Sequence, residues 1–128
     1  MIEVGMKGMS ETVVSLDNTA KAFTSGALEV FATPAMISLM EEACWKMVQP
    51  ELEEGLTTVG TRVDISHMSP SGIGSTVMCE ATLLEMDERK LTFEVMCSDE
   101  NGLVGMGTHE RFIVNTQKFM DKAQGKKS

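Results

Sequence analysis

No run of about eighteen apolar residues, the length a membrane-spanning helix requires, occurs in the chain. The first sixteen residues, MIEVGMKGMSETVVSL, also lack a basic segment leading into an apolar stretch and a small-residue cleavage site, so no secretory signal is expected. A soluble, cytoplasmic protein is the expectation. Cysteine is scarce: Cys44, Cys79 and Cys97 form no CxxC pair and, being three, cannot all pair within one chain. They read as small buried hydrophobes in a reducing compartment. With only two histidines, neither having a His or Cys at ligand spacing, no metal or other cofactor is expected. Basic residues are outnumbered, 11 against 19 acidic, and a net charge of −8 opposes the phosphate neutralisation on which nucleic-acid binding depends. The lysines at the C-terminal end, Lys118, Lys122 and those of GKKS, read as a solvated, frayed tail.

What is present fits one domain across residues 1–128. The predicted order is a strand, a helix and four further strands, an α+β arrangement with antiparallel pairing. Glu11–Asp17 is the first predicted strand. Residues 18–32 show no clean period and read as a connection with short structure of uncertain kind. Thr33-Pro34 marks a helix start, with threonine suited to capping and proline to the first turn. The helix is expected over Pro34–Gln49, ending before Pro50. Alternation then predicts strands through Val59–His67, Val77–Leu83, Leu91–Cys97 and Leu103–Val114, with MDERK as a hairpin connection. In the last strand, Gly105 and Gly107 permit a bulge or close helix approach.

At 100° per residue, Met36, Leu39, Met40, Ala43, Cys44 and Met47 share one arc of the helix and should face the sheet. Ser38, Glu42, Lys46 and Gln49 share the opposite arc, with Glu42 and Lys46 at favourable i, i+4 spacing. Glu41 lies at the edge of the apolar stripe, where it either passes Trp45 to water or needs a partner. His67 shares strand parity with Val59, Val63 and Ile65 and is therefore predicted to point at the helix. A lone histidine there is most often structural, but Thr33, Glu41 and His67 together supply the nucleophile, carboxylate and base types of acyl transfer. Thr33 and Glu41 lie eight residues apart, roughly 12 Å along a helix. Either His67 and substrate sit between them, or a twofold partner brings Thr33 of one chain near Glu41 and His67 of another. The latter, a homodimer with its site at the interface, is the expectation.

Three segments carry a family resemblance: ATPAMISLMEEACW around the helix start, VGTRVDISHMSPSGIGSTV around His67, and GLVGMGTHERFIV in the last strand. Over roughly residues 11–114 the chain resembles hot-dog-fold acyl-CoA thioesterases of the fluoroacetyl-CoA thioesterase type. The resemblance implies an antiparallel sheet wrapped around one central helix, an acyl-CoA substrate, and hydrolysis of its thioester. It also implies that Thr33, Glu41 and His67 form the catalytic set, with His67 handling the proton and either Thr33 or water attacking. Gly60 matches a family glycine close to the thioester. One departure concerns the lid before the helix, where Ala27 stands at the position expected for a gating phenylalanine, which argues against fluoroacetyl selectivity. A non-catalytic acyl-CoA-binding module and an enoyl-thioester hydratase are the competing readings. His109 is assigned a structural role, and Arg62, Arg89, Lys90 and Arg111 are treated as surface charges available to coenzyme A phosphates.

Overall fold

The computed structural model describes residues 1–125. The lysines beyond Gly125, assigned above to a solvated tail, lie outside the described residues. In chain order the elements are β1 (Lys7–Val13), α1 (Thr33–Val48), a short 3-10 turn (Gln49–Glu51), β2 (Leu56–His67), β3 (Thr76–Asp87), β4 (Lys90–Asp99), β5 (Gly102–Asn115) and α2 (Thr116–Ala123). The five strands form one antiparallel sheet in the order β1-β3-β4-β5-β2, curled around α1. No helix is long and apolar enough to cross a membrane among the described residues.

The core follows the sequence periods. Val77, Cys79, Ala81 and Leu83 of β3 and Leu91, Phe93, Val95 and Cys97 of β4 are fully buried. Against them α1 sets Ala35, Met36, Leu39, Met40, Ala43, Cys44 and Val48. Each large apolar side chain so enclosed contributes roughly 1.5–3 kcal/mol relative to exposure. Glu42 and Lys46 form the expected surface ion pair at 3.0 Å. Close packing of α1 on β1 requires Gly8, where an added Cβ would stand 2.5 Å from the Ala43 carbonyl oxygen. The β3–β4 hairpin turns at Glu88 and Arg89, with Glu88 in the left-handed region at φ 57°.

Several boundaries differ from expectation. The first strand is Lys7–Val13 and not Glu11–Asp17. Asn18 explains the early stop: its side chain accepts from the Ser15 amide (2.8 Å) and donates to the Val13 carbonyl (3.1 Å), closing a turn that competes with strand pairing. The connection to α1 contains two single bridges, Thr19 to Phe31 and Val30 to Gly72. Helix α1 begins at Thr33 itself; Ala32 is the N-cap residue and no side chain caps the first turn. Lys118 and Lys122 stand on α2, a helix that Asn115 caps through the Lys118 amide at 3.0 Å.

The largest correction lies in β2. Its register against β5 shifts between Gly60 and Arg62, so Thr61 is an inserted bulge residue. Before the bulge, Thr58 and Gly60 sit opposite Ile113 and Arg111; after it, Val63, Ile65 and His67 sit opposite His109, Gly107 and Gly105. Because a one-residue insertion inverts parity, Thr58 is buried while Val59 is only partly so. Val59 therefore does not share the helix-facing side with His67. A second shift, between Cys97 and Ser98, buries Val104 and leaves Leu103 exposed, off the face that carries His109.

Candidate active site

Thr33 opens α1 and His67 closes β2, and the two side chains meet. Thr33 Oγ1 lies 2.7 Å from His67 Nδ1. This contact accounts for the missing cap, since the hydroxyl that would have turned back to the helix amides is directed at the imidazole. Burial holds the His67 pKa below its ordinary value, an effect the Ser69 backbone partly offsets. The ring is therefore neutral near pH 7, as a proton acceptor must be. Its other nitrogen, Nε2, is buried and has no hydrogen-bond partner among the described residues. Helix geometry leaves the Thr33 and Ala35 amides without intrahelical partners, and Pro34 contributes none. An open groove of about 290 Å³ runs past the pair, walled by Ala20, Ser25, Val30, Phe31, Met68 and Pro70.

Glu41 is elsewhere in the same chain. Its Oε2 accepts from Arg111 Nη1 at 3.3 Å, and its side chain keeps 38% of its exposure. Arg111, expected at the surface, is buried. Its Nε donates to Thr58 Oγ1 (2.8 Å), its Nη2 to the Thr58 carbonyl (3.0 Å) and its Nη1 also to His109 Nε2 (3.1 Å). His109 is 1% exposed, donates from Nδ1 to the Arg62 carbonyl at 2.8 Å, and stacks on Phe93. Burial first, then the Arg111 charge, depresses its pKa. His109 Nε2 also lies 3.9 Å from Glu41 Oε2, but a neutral ring accepting from Arg111 has no proton there to share. Gly60 faces this cluster: a Cβ at that position would stand 2.6 Å from Glu41 Oε2.

One chain thus brings Thr33 to His67, and separately Glu41 to Arg111 beside Gly60. The expected division, Thr33 in one chain and His67 in another, is corrected by the direct bond between them. The contacts of Arg111 and His109 with Glu41 are what the sequence reading missed. Their signal was GTHERF, which places two polar side chains at i, i+2 on the same strand face as Gly105 and Gly107. All three cysteines are buried, and burial drives the Cys44 thiol far above its ordinary range.

A family model described as fluoroacetyl-CoA-specific thioesterase matches residues 14–117. The chain belongs to that family. A fluoroacetyl-CoA thioesterase of Streptantibioticus cattleyicolor is 38% identical over 98 residues, covering 77% of this chain and 70% of the relative. A solved structure of a fluoroacetyl-CoA thioesterase superposes with a TM-score of 0.93 at 31% identity, over 100% of this chain and 99% of the other. A mutant of a fluoroacetyl-CoA-specific thioesterase in complex with fluoroacetate and CoA gives 0.88 at 33% identity, over 92% and 99%. A thioesterase superfamily member from Thermus thermophilus gives 0.89 at 28% identity, over 98% and 93%. The architecture is accordingly the hot-dog fold, and the fluoroacetyl-CoA-specific thioesterase family makes this chain a thioester hydrolase.

Proposed function

We propose that the protein hydrolyses a short or medium acyl-CoA to the free acid and CoA, using Thr33, Glu41 and His67 as its catalytic set with Gly60 beside the substrate. The observation that carries this reading is the 2.7 Å contact between Thr33 Oγ1 and His67 Nδ1 at the edge of an open groove. A hydroxyl bonded to a neutral imidazole is a nucleophile beside its base. His67 takes the proton from Thr33, or from a water in its place, as the new bond to the thioester carbonyl forms. The first-turn amides of α1 supply donors to the developing oxyanion, and the helix dipole acts in the same sense. The thiolate of CoA then leaves and takes the proton held by His67; where Thr33 has attacked, a water deprotonated by the same imidazole cleaves the acyl-threonine ester, releasing the free acid and returning the proton to Thr33.

Glu41 reaches this centre from a second copy of the chain. Two observations support the arrangement: Glu41 is held by Arg111 in its own chain, and β2 is an edge strand with one side unpaired among the described residues. A homodimer joined near β2 would set the Glu41 and Gly60 half-site of one protomer against the Thr33 and His67 half-site of its partner. An imidazolium forming at His67 would then face a carboxylate. The groove wall supports a substrate broader than fluoroacetyl. Phe23 lines a neighbouring groove beside Glu11 and Glu42, and among the described residues Phe31 is the one phenylalanine at the Thr33 groove. The cytoplasm, a reducing compartment, suits three free thiols of which Cys79 and Cys97 are register partners on neighbouring strands.

Thiol release from a panel of acyl-CoAs tests the reading. The expected result is turnover of several short and medium chains, with fluoroacetyl-CoA not singled out. Tight binding of acyl-CoA with no thiol released from any member would identify a binding module instead, and a product heavier by water with the thioester intact would identify a hydratase.

A further inference from the structure

We propose that His109 is a positioning residue for Glu41: as a neutral imidazole protonated on Nδ1, it holds one edge of the Arg111 guanidinium and so fixes the Glu41 carboxylate. This rests on the reading of Glu41 as a member of the catalytic set. The tautomer follows from the partners. A carbonyl oxygen only accepts, so the 2.8 Å bond to Arg62 places the proton on Nδ1. A guanidinium only donates, so the 3.1 Å bond from Arg111 requires a lone pair on Nε2. Neither nitrogen has a free choice, and a second proton would set N–H against N–H beside a cation.

Arg111 is held on three sides. Thr58 takes Nε and Nη2, His109 takes one proton of Nη1, and Glu41 Oε2 receives from the same Nη1. Without His109, Nη1 is free to swing about the Thr58 anchor. The groups facing His109 are Arg111 and Glu110 on or beside its own strand position, Glu41 from α1, and the ring of Phe93 from β4. The carbonyl that orients the imidazole belongs to Arg62, directly after the bulge residue of β2. The bulge therefore acts through His109 and Arg111 on the carboxylate, while Gly60 leaves room for all three: a Cβ there would lie 3.2 Å from His109 Cε1 and 3.3 Å from Arg111 Nη1. Glu41 Oε2 is committed to Arg111, which leaves Oε1 to meet the imidazole of a second copy.

Kinetics of the full chain with His109→Phe and His109→Gln, together with proton–nitrogen correlation spectra of the wild-type imidazoles, test the proposal. Phenylalanine keeps ring volume and the stack on Phe93 but makes neither hydrogen bond. Its kcat should fall about 10- to 100-fold, the scale of a misplaced catalytic group, with KM within about threefold. Glutamine, which can accept from Arg111, should recover most of the loss. In the double variant with Glu41→Gln, His109→Phe should cost nothing further, because both changes act on one carboxylate. A folded His109→Phe protein with unchanged kcat, losses that multiply in the double variant, or a wild-type His109 protonated on Nε2 would each overturn the proposal. The spectra decide it even where His109→Phe fails to fold. Full activity in Glu41→Gln alone would instead overturn the catalytic reading of Glu41, so the two failures are distinguishable.

Discussion

Removing the Thr33 hydroxyl separates chemistry from stability, because that group bonds His67 and caps nothing. Thr33→Ala should lower kcat by roughly 100-fold or more while the unfolding midpoint in urea changes little, since loss of a true cap would cost about 1 kcal/mol. Paired kinetics and denaturation check both halves; a large loss of stability would mean that the threonine is structural. The histidines give a pH signature. Burial depresses the pKa of His67 and of His109, so the unfolded chain takes up protons first as pH falls. Their contribution to stability is complete above the unfolded value of about 6.5 and is lost as pH drops through the folded values. Urea midpoints measured from pH 8 to pH 5 should decline, and less steeply in His109→Phe. Activity should persist somewhat below pH 6.5 before falling, as the His67 base becomes protonated.

At the level of elements, β5 lies against β2 with no room for a side chain at Gly107. An added Cβ would stand 2.1 Å from the Asp64 carbonyl oxygen and 2.6 Å from the Ile65 Cα, both backbone atoms that cannot yield cheaply. Gly107→Ala should destabilise by about 1–3 kcal/mol or more, read from urea unfolding, and should weaken activity by displacing His67 at the end of the same strand. The sequence had named Gly105 and Gly107 as places of a bulge or close helix approach; Gly105 does face Met36 of α1, whereas Gly107 is pressed against the backbone of β2. The buried faces of α1, β3 and β4 were legible because strict periods of 3.6 and 2 have a single physical cause. What alternation could not reveal was where it breaks. Thr61 looks like an ordinary member of a β-branched series, and only its neighbours on β5 show that it is inserted. The same limit hid Arg111, because a charge counted along a strand is assigned to solvent unless its buried partners, Thr58, His109 and Glu41, are known. Thr33 was misread as a cap for a related reason: the residue has a local use and a distant one, and the distant one prevailed.

For the molecule as a whole, a net charge of −8 meets a substrate whose phosphates are also anionic. Long-range repulsion between them is screened over about 8 Å at physiological salt and extends to about 30 Å at 0.01 M. Raising ionic strength across that range should increase kcat/KM, and a steep decrease would show that a local basic patch dominates the encounter. Assembly gives a second test. On the proposed shared site, Thr33→Ala and His67→Ala chains should not rescue one another beyond additive residual activity, since both lesions would fall in the same half of it. Either one mixed with Glu41→Gln should regain up to about a quarter to a half of wild-type turnover, as one intact site forms per mixed dimer. Absence of such rescue would count against a shared site. The bulge at Thr61 has a further consequence for how the chain can vary in length. The exposed stretch from Lys21 to Glu29 can gain or lose residues as surface loops do. A deletion of one residue at Thr61 would turn Thr58 and Gly60 outward and strip Arg111 of its anchor, so a homologue shortened there would keep the fold's outline and lose its register with the chemistry.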